Sequence, residues 1–241
     1  LEELISERIR QRRSTGDREH DMLQVYMDST YSDGRSLSDH EITGMVIWFM
    51  FAGHHTSSNT TAWTLLEIAR NPHYKQRLFA EIDALFAGAE PLTLRGLRAI
   101  PLLDGFIREA LRLHPPLNVI SRRVMSDWRY HEYVVGTGKN VMVCPHVSHK
   151  LPQYFPQPEK FDPERPAPEN PFAEIPFGGG RHKCIGNAFA ILQVKAILST
   201  LLHRYDFDLT QHPDCYGETM PALILRPTDP CVLGYSLRQA E

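Results

Sequence analysis

The first proline in the chain is Pro72, so no pyrrolidine ring interrupts the backbone before that point. Within this stretch, Ser38-Asp39-His40-Glu41 forms a capping box, in which the serine caps a helix start and the glutamate reaches back to it. A helix opening there has room for about 33 residues, roughly 50 Å of rise, enough to cross a whole domain. Its centre, Met45 to Phe51, is apolar on every side, the pattern of a helix sunk in a core. The apolar run ends at Gly53, far short of the roughly 20 residues that span a bilayer.

Other elements follow from periodicity and breakers. Residues 1–13 and about 18–31 read as amphipathic helices separated by Ser14-Thr15-Gly16. Further helical segments are predicted at 72–87, 93–98 and 101–113, the last stopped by Pro115-Pro116. From 117 to 145 the composition turns to β-type runs, Trp128–Val135 and Asn140–Cys144, around Gly136 and Gly138, which predicts a small sheet. Residues 150–180, rich in proline and glycine, are expected to form a long ordered loop. A final helix over 185–203 and strand-like runs near 222–226 and 231–237 complete a mainly α chain with small β-sheets (α+β), a single region over 1–241. No internal repeat or low-complexity tract is present.

The 241 residues, 42% hydrophobic and 23% charged, suffice for one large core or two small ones. A net charge of −3 with no basic run gives no attraction to nucleic acid and leaves a small molecule as the expected partner. Four cysteines, at 144, 184, 215 and 231, are too scattered for a disulfide framework and point to a reducing compartment. The opening Leu-Glu-Glu, with no leader before it, reads as part of a longer protein, and any membrane anchor would belong to sequence outside this chain.

The strongest chemical signal is Phe177-Gly-Gly-Gly-Arg-His-Lys-Cys184-Ile-Gly186, just before the last predicted helix. Glycines there permit positive φ and close approach of a flat ligand. A cysteine at a helix amino end is favoured as thiolate, hence as a metal ligand. The competing readings are a buried structural cysteine and a phosphate cradle. The second needs Gly-Lys-Ser/Thr or a preceding strand, and neither is met.

Every position of F-x-x-G-x-[R/H]-x-C-x-G is filled, and the segment resembles the haem-ligand loop of the cytochrome P-450 superfamily. Glu109-Ala-Leu-Arg112 matches that family's E-x-x-R motif, and Phe161-Asp-Pro-Glu-Arg165 resembles the segment whose arginine joins it. The resemblance implies a buried charge cluster supporting the loop. It also implies that Cys184 ligates the iron of haem b, with Phe177, Gly178, Gly180 and Gly186 shaping the cradle. Arg122 and His182 are candidates for the propionates, Arg123 competing with Arg122.

On the long helix, Phe51-Ala-Gly-His-His-Thr56 resembles the family's oxygen-activating segment. Ala52 and Gly53 leave room over the haem, and Thr56 bonds back to the Ala52 carbonyl and relays protons. His55 stands where an acid is commoner. Sterol 14α-demethylases carry histidine there, and Leu113-His-Pro-Pro116 and Gly-Arg-His-Lys-Cys184 are also similar to that family. His55 then feeds protons or satisfies a core hydrogen bond. Phe51, Ile120 and Met220 are the substrate contacts the resemblance implies. Cys144, His146 and His149 suggest zinc, but no fourth ligand lies at suitable spacing.

The implied activity is insertion of an oxygen atom from O2 into a C–H bond, with electrons coming ultimately from NAD(P)H through a ferredoxin or flavin reductase-type donor. Arg181, Lys183 and Lys195 offer that donor a basic face. A lanosterol-like substrate oxidised at its 14α-methyl is the sterol version. A non-sterol lipid or terpenoid substrate and a non-catalytic haem sensor or carrier are the alternatives. Location is cytoplasmic if the protein is of the soluble bacterial type. The family's amino-terminal half is missing, so the chain alone is expected to bind haem weakly.

Overall fold

The computed structural model describes residues 1–87, 92–220, 222 and 224–238. Contacts divide the chain into two compact units, Leu1–His55 and Thr56–Glu241. Among the described residues no helix is long and apolar enough to cross a membrane.

In the first unit α1 spans Glu2–Thr15 and stops at Gly16, whose φ of 74° lets its N–H return to the Arg12 carbonyl. Helix α2, Met22–Asp28, is shorter than the sequence pattern predicts. The Asp21 side chain caps it by accepting from Gln24 N, and Ser29 is already extended. The same Asp21 carboxylate pairs with the buried Arg12 guanidinium through both oxygens, tying the two helices.

Helix α3 runs Asp39–Arg70. Its capping box forms as the sequence implies: Ser38 N donates to Glu41 Oε2 at 2.8 Å, and Glu41 N to Ser38 Oγ at 3.3 Å. Ile42, Val46 and Ile47 pack with Ile5, Ile9 and Leu37. The expectation of all-round burial fails, since Trp48 is 67% and Phe51 59% exposed, with Met45 and Met50 also outside the core. A helix apolar on every face needs partners on every face, and the first unit covers one.

In the second unit, α4 (Lys75–Phe86), α5 (Leu94–Arg98), α6 (Pro101–Leu113) and α8 (Asn187–Arg204) surround a core that includes Ile68, Leu78, Leu103, Phe106, Leu198 and Leu202. The apolar positions of α6 recur at helical spacing, as amphipathic burial demands. The buried Lys75 ammonium ties α4 to Asp206 and Asp208, each at 2.7 Å.

The small sheet predicted over 117–145 is two separate antiparallel pairs, and a third pair forms near the end of the described residues. Strands β1 (Ile120–Arg123) and β4 (Asn140–Val143) pair with Ile120 opposite Val143. The run Trp128–Val135 folds on itself as β2 (Trp128–Tyr130) and β3 (Tyr133–Val135), with His131 at φ 51° in the turn. Tyr205–Leu209, β5, leaves α8 without a breaker and pairs with β6, Leu233–Leu237. The run expected near 222–226 shows only an isolated bridge from Leu117 to Ile224; residues 221 and 223 lie outside the described residues.

Residues 150–179 carry no helix or strand, in keeping with their proline and glycine content. Mid-helix Gly105 lets this segment approach, because a Cβ there would lie 2.0 Å from the Pro163 carbonyl oxygen. Alanine is the better helix former by about 1 kcal/mol, yet backbone must move to admit it. Gly105→Ala is therefore expected to destabilise by about 1–3 kcal/mol, read as a lower denaturation midpoint in urea.

Candidate functional site

Glu109 and Arg112 lie one helical turn apart near the end of α6 and are each 1% exposed. Arg112 Nε and Nη2 donate to the two Glu109 oxygens at 2.8 and 2.7 Å. Arg165 Nε adds a bond to Glu109 Oε1 at 3.0 Å, and the Asp162 amide another at 3.1 Å. The remaining guanidinium N–H groups reach the carbonyls of His149, Pro156, Gln157, Pro158 and Lys160. A buried carboxylate flanked by two guanidinium groups is tolerable because nearly every donor and acceptor is used.

His149 extends this framework and was seen in the sequence only as a zinc candidate. Its ring is fully buried. Nε2 accepts from the Ile175 amide at 2.8 Å, so Nδ1 carries the proton and donates to the Arg112 carbonyl at 3.1 Å. Burial lowers its pKa to about 4. Among the described residues no group of histidine, cysteine or acidic side chains is arranged to hold a metal ion.

From Ile175 the backbone turns into the loop bearing Cys184. Gly178 N returns to Ile175 O at 2.9 Å, and the Cys184 amide bonds to Phe177 O at 2.9 Å. Gly178 and Gly180 have φ of 68° and 67°, which side chains would resist. A short 3-10 turn, Gly180–His182, follows. Helix α8 begins only at Asn187, with Gly186 as its cap. Cys184 therefore precedes the helix instead of occupying its amino end, because its amide is engaged within the loop.

The Cys184 thiol is exposed, and a Cβ on Gly186 would sit 3.9 Å from its sulfur. Ile185 and Phe189 beside it are 85% and 55% exposed. Phe177 is half-buried and packs on the main core. Ile120 on β1 lies next to the loop, its Cδ1 3.8 Å from a Cβ built on Gly178. Arg122, half-buried on the same strand face, donates to the neighbouring Ser121 carbonyl at 2.9 Å. His182 is exposed. Such an arrangement suits haem: a bare thiol, glycines where a macrocycle would press, apolar flanks, and cationic or imidazole groups able to meet carboxylates.

The structure thus groups Cys184, Phe177, Gly178, Gly180, His182, Gly186, Ile120 and Arg122, with Glu109, Arg112 and Arg165 behind the loop. Met220 is 57% exposed and accepts from Asn118 Nδ2 at 3.7 Å. Phe51, Ala52, Gly53 and His55 belong to the first unit and Thr56 begins the second. Within the first, the His55 ring makes edge contacts with Phe51 and His54 at 5.9 and 4.8 Å. Within the second, Thr60 Oγ1 donates to Thr56 O at 2.8 Å. Lys195 does not offer a free charge as the sequence reading implies. It is 2% exposed, bound to Leu97 O and Asp104. Arg181 and Lys183 are exposed.

The model of the family "Cytochrome P450" matches residues 1–233. The sterol 14alpha-demethylase of Mycolicibacterium vanbaalenii is 38% identical over 227 residues, covering 91% of this chain and 50% of that protein. The human lanosterol 14-alpha demethylase is 36% identical over 240 residues, 96% and 47% of the two chains. A solved retinoic acid-bound cyanobacterial CYP120A1 superposes with a TM-score of 0.87 at 28% identity, covering 99% of this chain and 55% of that one. The chain belongs to the cytochrome P450 family, and it spans about half the length of the curated relatives it matches.

Two outcomes follow from the buried network. Glu109→Gln leaves two guanidinium groups without their anion and is expected to cost about 3–5 kcal/mol of stability, measured by chemical denaturation. For His149 the folded pKa, about 4, lies below its ordinary 6.5. The unfolded state then binds the proton first, so stability is intact above pH 6.5 and falls towards pH 4. The slope should approach about 1.4 kcal/mol per pH unit and flatten in His149→Asn, as read from unfolding curves across that range.

Proposed function

We propose that this chain is the haem-binding part of a haem-thiolate monooxygenase, and that its substrate is a lanosterol-like sterol demethylated at the 14α position. The observation that carries the reading is the exposed Cys184 thiol, held by its backbone at the end of a two-glycine turn. When bound, haem with a thiolate ligand supplies reductive activation of O2 and transfer of one oxygen atom to a C–H bond.

In this reading Cys184 holds the iron. Arg122 and His182 hold the propionates. Ala52 and Gly53 keep bulky side chains off that stretch of α3, and the Thr56 hydroxyl holds a proton that His55 replenishes from solvent. Ile120 and Met220 exclude water and shape the substrate space, and Phe51 offers an exposed apolar ring on α3. Exposed Arg181 and Lys183 receive an acidic ferredoxin or flavin reductase-type donor, which brings electrons from NAD(P)H.

The sterol assignment is supported by His55, by Leu113-His-Pro-Pro116 and by the names of the 36–38% identical relatives. The retinoic acid in the cyanobacterial neighbour favours a second reading, an isoprenoid acid as substrate. The haem-loaded protein should show the thiolate-type Soret band when reduced under carbon monoxide, and Cys184→Ser should abolish it. An unchanged spectrum in that variant would remove the basis of the assignment. Lanosterol should bind more tightly than retinoic acid, and the reverse order would favour the second substrate class.

A further inference from the structure

The histidine of the Leu-His-Pro-Pro run has no part in the site described so far, yet it is among the most constrained side chains of the second unit. His114 ends α6 and stacks flat on the buried Trp63 indole, centroids 3.7 Å apart and planes 3° from parallel. That stacking fixes the ring plane and so aims both nitrogens. Nδ1 lies 2.6 Å from Glu218 Oε1, and Nε2 lies 3.4 Å from Glu67 Oε1. Glu67 is 3% exposed and anchored by Arg70 Nη1 at 2.6 Å. Burial pushes the Glu67 and Glu218 carboxyls up, but the His114 hydrogen bond and neighbouring positive charge bring each below its ordinary value. His146 faces the same Glu218 from α7 (Pro145–Ser148) at a looser 3.6 Å.

Glu218 sits in a segment whose described residues, from 216 to 228, carry no helix and only isolated bridges. Residues 216–228 close on themselves through Thr228 N to Gly217 O and Thr219 N to Arg226 O, both at 2.9 Å. The same segment meets the chain following α6, where Leu225 N donates to Pro116 O at 3.0 Å and Asn118 Nδ2 to Met220 Sδ at 3.7 Å. Arg70 Nη2 holds its start at the Tyr216 carbonyl. Among these tethers His114–Glu218 is a short, charge-capable side-chain pair, and it stands two residues from Met220.

We infer that His114 and Glu218 are positioning residues that fix Met220 against the Asn118–Ile120 edge, and thereby set which apolar ligand the protein prefers. Neither need touch the ligand. The inference rests on the proposed reading for its choice of ligands, and its test separates the two.

Lanosterol and retinoic acid dissociation constants are measured by calorimetry on the haem-loaded protein, for wild type, Glu218→Gln, His114→Asn, Met220→Ala and the two pairings with Met220→Ala. Breaking the pair should change the ratio of the two constants by about tenfold. In the Met220→Ala background the same substitutions should leave the ratio where Met220→Ala alone puts it, a coupling that general destabilisation does not produce. Amide exchange at Thr219, Leu225 and Thr228 should quicken about tenfold in Glu218→Gln. Should His114→Asn fail to fold, Glu218→Gln alone decides, since its amide keeps the shape. An unchanged ratio, a shift that persists without Met220, or a wild type that binds neither ligand overturns the inference. A shifted ratio in a protein lacking the thiolate-type band would instead sink the proposed function and leave the positioning role standing.

Discussion

Glu109 is a carboxylate taken almost completely out of water, a state that costs several kcal/mol unless opposite charge and hydrogen bonds replace the lost solvent. Arg112 and Arg165 supply both. In doing so they place a fan of N–H groups inside the protein, and these are answered by carbonyls of residues 149–160. A segment without helix or strand normally runs over the surface because its backbone polarity has no partner inside. Here two side chains provide that partner for an irregular segment.

What the network holds is the cysteine loop. Arg112 O accepts from His149 Nδ1, His149 Nε2 accepts from Ile175 N, Ile175 O accepts from Gly178 N, and Phe177 O accepts from Cys184 N. The path from α6 to the thiol is a relay of buried or backbone hydrogen bonds. A ligand atom must be held within a fraction of an ångström to be useful. Glycine at 178 and 180 supplies the bend and this relay removes its freedom. The low pKa of His149 belongs to the same logic, since a protonated ring would lose the acceptor that receives Ile175.

Much of this was legible in the sequence. Ser38 and Glu41 marked the start of α3, Pro101 and Pro115 bracketed α6, and Glu109, Arg112 and Arg165 share the network that the family resemblance implied. Their signals are local or occur in recognisable pairs. The misreadings came where the outcome depended on distant partners. Trp48 and Phe51 look like core, but burial is decided by what packs against a helix, not by its own pattern. Lys195 looks like a surface charge, yet Asp104 and the Leu97 carbonyl lie close enough to receive it. Trp128–Val135 reads as one strand because it is rich in aromatic and β-branched residues, while His131 in the left-handed region reverses the chain. Gly105 gives no hint of its role, since a close approach to Pro163 exists only in three dimensions.

The end of α6 explains why the two polar networks of the second unit can be so near and still act on different things. Arg112 and His114 are two residues apart, and a helix places such positions on different faces. Arg112 turns toward the loop that presents Cys184. His114, leaving the helix, turns toward Trp63, Glu67 and the segment carrying Met220. The Glu109 oxygens are filled by Arg112, Arg165 and the Asp162 amide, and the His114 nitrogens face Glu218 and Glu67. Besides the helix backbone, α7 is the short electrostatic link between them, since His146 faces Glu218 and adds to burial in holding the His149 pKa down. The hydrogen bonds that hold the cysteine loop are thus not the ones that tether the segment around Met220.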